Sequence, residues 1–140
     1  MRSSCLVIAF LVSASSWAAD ASGYYASASS QGPTWRELCI TQGGKGLFEV
    51  TAYTAYCPSD ECLNVRIDTL EFQAKLQRDG LHYASPGCAV DIFFEGERAE
   101  VRQKGSSCGE DRRLLAAGQY ERRAREVPQG ACTAQGVQAQ

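Results

Sequence analysis

Hydrophobic and polar residues alternate with a period of two along most of this chain, the pattern of strands with one face buried and the other in water. Over 47–56, Phe48, Val50 and Ala52 alternate with Glu49, Thr51 and Tyr53. Over 69–77, Leu70, Phe72, Ala74 and Leu76 share one face, and Glu71, Gln73, Lys75 and Gln77 the other. Arg78-Asp79-Gly80 then turns the chain, since Asp-Gly suits the positive φ angles of tight hairpins, and 81–84 runs back beside its predecessor. Ser85-Pro86-Gly87 ends that strand, after which Val90, Ile92 and Phe94 alternate with Ala89, Asp91 and Phe93. Glu95-Gly96-Glu97 is the next turn, and Ala99 and Val101 return against Arg98, Glu100 and Arg102. A loop opening at Gly105 leads to strands at 112–117 and 118–123, and 23–25 and 37–41 supply two more near the start.

No segment carries a helical stripe long enough for a parallel crossover. The pattern therefore predicts an all-β fold of about eight strands in an antiparallel meander. Closing the meander into a small barrel removes its exposed edges; a two-sheet sandwich is the alternative. The similar strands at Gly23-Tyr24 and Gly118-Gln119-Tyr120 are the expected closing pair.

Residues 1–19 read as an export signal: Arg2 precedes an apolar stretch over 5–12, and Ser16-Trp17-Ala18 offers small residues at the cleavage positions. The apolar core is far shorter than the ~20 residues that span a bilayer, and no later segment is longer, so no transmembrane segment is expected. The expected organisation is a signal at 1–19, a barrel domain at 20–127, and a mobile Gln-, Ala- and Gly-rich tail at 128–140 tethered by Cys132.

Of seven cysteines, Cys5 leaves with the signal, and Cys39, Cys57, Cys62, Cys88, Cys108 and Cys132 remain. An even count in an exported chain of this size reads as a disulfide framework and places the protein in the periplasm or outside the cell. Six cysteines allow fifteen pairings. Local geometry favours Cys57 with Cys62 across a short loop and Cys88 with Cys108 around the 90–101 hairpin, leaving Cys39 with Cys132. A lone His82 and the absence of paired Cys-x-x-Cys spacings argue against a zinc site, and no metal or cofactor is expected. Loss of Arg2 moves the formal charge from −2 to −3, a balance unlike that of a nucleic-acid-binding protein.

Catalytic constellations are scarce. His82 stands on a strand with no partner assignable from sequence, no serine lies in Gly-x-Ser-x-Gly, and Gly43-Gly44-Lys45-Gly46 lacks the following helix of a phosphate loop. The serines at Ser27, Ser29 and Ser30 read as a polar edge. Carboxylates cluster at Asp60-Glu61 and at Asp91, Glu95 and Glu97, where a hydrolase needs a pair in contrasting environments and a binding protein needs exposed charge for a basic partner. Arg112, Arg113, Arg122, Arg123 and Arg125 form a late basic run that suits anionic headgroups or polysaccharide, or keeps an exposed strand soluble.

The hairpin from Asp79 onwards resembles the periplasmic inhibitors of c-type lysozyme, small disulfide-bonded antiparallel barrels. In that family Ser-Gly-x-x-Tyr is followed by aromatic-x-Lys-Gly-x-x-Ala. Here Gly80, Tyr83, Phe93, Gly96 and Ala99 match in order, over about a fifth of the chain, while Asp79 stands at the family's serine and Glu95 at its inhibitory lysine. The resemblance implies fold and compartment. The substituted acid would repel a lysozyme's acidic cleft.

The sequence thus leads to a non-catalytic protein-binding module of the envelope, an inhibitor or immunity protein of a cell-wall-active enzyme such as a cell-wall hydrolase. Its expected contact residues are Asp79, Tyr83, Phe93, Glu95, Asp60 and Glu61, with Tyr53, Tyr56 and Phe93 as exposed aromatic anchors. The alternatives are a small-ligand carrier with its ligand inside the barrel mouth, a structural envelope protein, and a hydrolase using Asp60, Glu61 or Asp91.

Overall fold

A computed structural model describes residues 21–27, 34–105, 108 and 116–133. The signal segment, Ser29 and Ser30, Arg112 and Arg113, and positions 134–140 of the tail lie outside the described residues. The fold is all-β, with no helix among the described residues, and so none there is long and apolar enough to cross a membrane. The strands are β1 (Gly23–Ser27), β2 (Thr34–Gln42), β3 (Leu47–Tyr56), β4 (Arg66–Gln77), β5 (Gly80–Ser85), β6 (Cys88–Glu95), β7 (Arg98–Lys104) and β8 (Gly118–Ala124). Each pairs antiparallel with its sequence neighbours, and β8 pairs with β1 to close the barrel.

The closing strands carry the same local sequence for a physical reason. Ala21-Ser22-Gly23-Tyr24-Tyr25 and Ala116-Ala117-Gly118-Gln119-Tyr120 both read Ala-x-Gly-x-Tyr. In each, the buried tyrosine hydroxyl donates to the alanine carbonyl four residues back, Tyr25 to Ala21 at 2.9 Å and Tyr120 to Ala116 at 2.5 Å. A large ring can therefore fill the barrel beside the seam while its polar tip stays satisfied. Burial pushes the Tyr120 phenol well above its ordinary value.

Alternation along the strands sends Leu38, Ile40, Phe48, Val50, Leu81, Val90, Ile92, Ala99 and Val101 inward, all 2% exposed or less. Each large aliphatic or aromatic side chain buried in this way contributes roughly 1.5–3 kcal/mol. Eight strands leave an interior just wide enough for side chains to fill. The void within the wall near Thr54, Leu70 and Gln103 is about 10 Å³, room for one water at most.

Three local expectations are corrected. β4 starts at Arg66 rather than at 69, and its register against β3 runs unbroken to Tyr56. Ala116 and Ala117 lie outside any strand, and 112–115, the rest of that expected strand, lie outside the described residues. The β4–β5 turn uses Arg78 and Asp79 as its central pair, neither with positive φ, and Gly80 is already the first residue of β5. Glycine is needed there because a Cβ would stand 2.0 Å from the Ile92 carbonyl oxygen.

All three disulfides form as Cys39–Cys132, Cys57–Cys62 and Cys88–Cys108, bonds that persist in an oxidising environment such as the periplasm or the cell exterior. In an up-and-down barrel successive turns alternate between the two ends. The β2–β3, β4–β5 and β6–β7 turns share one end with Ala21, called here the turn end. The β3–β4 loop and the β5–β6 turn share the other, the loop end.

Candidate functional site

At the loop end, Cys57 and Cys62 close a small loop with their Cα atoms 5.0 Å apart. The Cys62 amide donates to the Ser59 carbonyl at 3.0 Å, and Cys62 takes a left-handed φ of 51°, so the backbone doubles back within the bridge. Asp60 and Glu61 project from this loop into solvent. Directly after it stand Leu63, Val65 and Ile67, exposed by 74%, 43% and 46%, the exposed large hydrophobics among the described residues. Isolated apolar side chains on a surface are ordinary, but three exposed large ones within five residues concentrate apolar surface at one end of the barrel.

Sequence reasoning missed these three, although the signal was present. Apolar residues fall at odd positions 63, 65 and 67, then at even positions 70, 72, 74 and 76. Such a change of phase means either a bulge or an apolar outer face. Because Ala55 pairs with Ile67 and Ala52 with Leu70 in one continuous register, Ile67 lies on the outer face of β4, while Leu63 and Val65 stand in the loop before that strand.

A second cluster lies on the outer wall of β5, β6 and β7. His82 contacts Asp91 through Nδ1 at 2.6 Å and Asp79 through Nε2 at 2.7 Å. Burial works against the imidazolium, yet the hydrogen bonds to Asp91 and Asp79 outweigh it and hold the His82 pKa above its ordinary value. His82 in turn holds the Asp79 carboxyl below the usual carboxylate range. Phe93 meets the His82 ring edge-on at 5.8 Å, and the Arg102 guanidinium sits 4.7 Å from the Phe93 centroid while pairing with Glu100 at 2.8 Å. Phe93, Glu95 and Glu100 border a depression of about 220 Å³. With both ring nitrogens engaged, His82 is an ion-pair centre that staples the β4–β5 turn to β6.

A third assembly covers the outer side of β2 and β3. Glu37 is 1% exposed although it points away from the barrel core. Its Oε1 accepts from the Tyr24 hydroxyl at 2.9 Å and Trp35 Nε1 at 3.0 Å, and its Oε2 accepts from the Cys132 amide at 2.8 Å. Three donors replace the water that a buried carboxylate loses. Burial first, then the hydrogen bond to Glu37, push the Tyr24 phenol far above its ordinary value. Cys39, Tyr53, Ala55 and Cys132 form a small apolar cluster here, with Val127 and Ala131 packed on it. The segment from Val127 to Cys132 is a strap across the wall.

The expected contact residues are therefore dispersed. Asp79 and Glu95 lie toward the turn end, Phe93 on the outer wall, and Asp60 and Glu61 at the opposite, loop end. Tyr83 faces inward, its ring 4.9 Å from that of Phe72. Tyr53 is not an exposed anchor: the strap leaves it 1% exposed, and its hydroxyl has no hydrogen-bond partner. Tyr56, three residues on, falls on the other face of β3. Among the acids of the second group, Asp91 is held by His82, and Glu97 receives Arg122 through two hydrogen bonds of 2.7 Å. The Arg122 side chain is only 2% exposed, Arg125 also reaches Glu97 at 3.4 Å, and Arg123 lies 3.6 Å from Glu121. The described part of the basic run is thus committed to acids within the fold. No group of three or more His, Cys, Asp or Glu residues able to hold a metal occurs among the described residues. No family model, curated protein or solved structure matches the chain.

Proposed function

We propose that this is an exported protein-binding module of the cell envelope that docks through its loop end, and that its partner is a cell-wall-active enzyme which it inhibits or to which it confers immunity. The observation that carries the reading is the run of exposed Leu63, Val65 and Ile67 directly after a loop closed by its own disulfide. Holding the loop shut before contact reduces the ordering cost of association. Asp60 and Glu61 border the run with negative charge, which suits a partner whose apolar cleft is rimmed by lysine or arginine. The resemblance of the 79–99 hairpin to lysozyme inhibitors supports a wall-degrading enzyme as the target class, and the signal-like residues 1–19 support Sec-type export.

The test uses the oxidised protein lacking residues 1–19 as bait for purified muralytic enzymes, with the Leu63→Asp/Ile67→Asp protein beside it. A hydrolase whose activity falls with the parent protein and is restored with the double variant supports the assignment. Inhibition that is unchanged by the double substitution, or none at all across the enzymes, removes the loop end as the docking site.

A further inference from the structure

At the turn end, remote from Leu63, the barrel is capped by a cavity of about 290 Å³. This is just below the roughly 300–1,000 Å³ of small-molecule sites. Its apolar side is made by Leu76, Phe94 and Ala21, and its polar rim by Gln77, Arg78 and Asp79. Leu76 and Phe94 belong to the barrel itself: both pack on the core, and the Phe94 ring lies 6.0 Å from Tyr25. The apolar surface is consequently preformed. Small molecules bind where such a surface meets a few placed polar groups.

The two charges on the rim are not equivalent. Asp79 is engaged by His82 Nε2 at 2.7 Å, and the same ring reaches Asp91. Glu97, on the neighbouring turn, is occupied by Arg122 and Arg125. Arg78 has no hydrogen bond or ion pair among the described residues. A guanidinium presents several N–H donors in a planar fork that matches a carboxylate. A hydrocarbon wall with an uncommitted cation at its edge is complementary to an anion with an apolar body.

We propose that this mouth binds a compact amphipathic carboxylate, its hydrocarbon part against Leu76 and Phe94 and its head group on Arg78. A medium-chain fatty acid is the simplest member of the class. The site is independent of the protein-docking reading, since it shares no residue with the Leu63–Ile67 run and lies at the other end of the barrel.

Octanoate, octylammonium and octanol serve as probes of one chain length and three charges, followed through the backbone amide resonances of the 15N-labelled oxidised protein. Octanoate is expected to shift the amides of Gln77 to Gly80 and of Gly96 saturably, and octylammonium to bind at least fivefold more weakly. Arg78→Gln is expected to weaken octanoate about fivefold, the effect of losing about 1 kcal/mol at a solvent-exposed ion pair, while leaving octanol unchanged. Arg78 is an exposed turn residue, so the variant keeps the fold, and its unperturbed amide spectrum verifies this. Equal binding of octylammonium and octanoate, octanoate affinity indifferent to Arg78→Gln, or saturable shifts confined to another surface would each overturn the assignment. So would the absence of saturable shifts with octanoate.

Discussion

Breaking the Cys39–Cys132 bond by a double substitution to serine perturbs the fold most, because of the length of chain it closes. The three bridges span 93, 20 and 5 residues in sequence for Cys39–Cys132, Cys88–Cys108 and Cys57–Cys62 respectively. Restricting the unfolded chain over those lengths corresponds to about 4.5, 3.3 and 2 kcal/mol in turn. A domain of this size has roughly 5–15 kcal/mol of net stability, so the first loss is a large share of the total. Urea denaturation of the protein lacking residues 1–19, followed by Trp35 fluorescence, is the assay. Trp35 is then the sole tryptophan, because the other is Trp17. It also donates to Glu37 beside the strap, so it reports on both unfolding and strap release. For Cys39→Ser/Cys132→Ser the midpoint is expected to fall by about 2–4 M urea at an m-value of roughly 1–2 kcal/mol/M. The emission is expected to shift before any denaturant is added. A loss under about 1 kcal/mol, or one smaller than that of Cys57→Ser/Cys62→Ser, refutes the argument from loop length.

Glu37→Ala leaves the Tyr24 hydroxyl, Trp35 Nε1 and the Cys132 amide without their acceptor, and is expected to cost about 2–4 kcal/mol in the same denaturation assay; a cost below 0.5 kcal/mol or so would falsify the account of the strap. Gly80→Ala places a Cβ against the Ile92 carbonyl, so a loss of at least about 1–3 kcal/mol is expected, with the β4–β5 amides most perturbed in the NMR spectrum. The raised pKa of His82 means that its ion pairs stabilise the fold fully below about pH 6.5 and less as pH rises through the higher folded-state value. In an NMR titration the single imidazole should show a midpoint above 6.5, lowered in Asp79→Asn; an unshifted midpoint contradicts the geometry. Leu63→Ser is expected to change stability by no more than about 0.5 kcal/mol, since the side chain is already in water.

The turn chemistry illustrates how far local sequence reaches. Asp79-Gly80 announces a hairpin, yet the glycine serves to let β5 pass close to Ile92 rather than to supply the central turn conformation. That demand arises from β6, a separate strand. The change of phase between Ile67 and Leu70 was legible, but the alternatives of a bulge and an exposed face differ only in the register against β3. His82 shows the same limit, because its two acids come from a turn and from a neighbouring strand nine residues away.

Alternation, turn residues and cysteine positions were by themselves sufficient for an all-β meander, its closing pair and a workable disulfide pairing. The meander depends on a periodicity that any one strand displays alone; the closing pair was legible from the repeated Gly/Tyr pattern at its two ends, and Cys39–Cys132 only by elimination once the shorter bridges were assigned. Tertiary structure decided what covers an outward face. Tyr53 and Glu37 look solvent-facing in their strands and are buried because the strap, whose Cys132 is bonded to Cys39, crosses them from the far end of the chain. It also decided which charges are spent within the fold, as Arg122 is on Glu97, and which have no partner among the described residues, as Arg78 has none. Side-chain partners from distant segments carry no periodic trace in the sequence, so only the closed barrel reveals them.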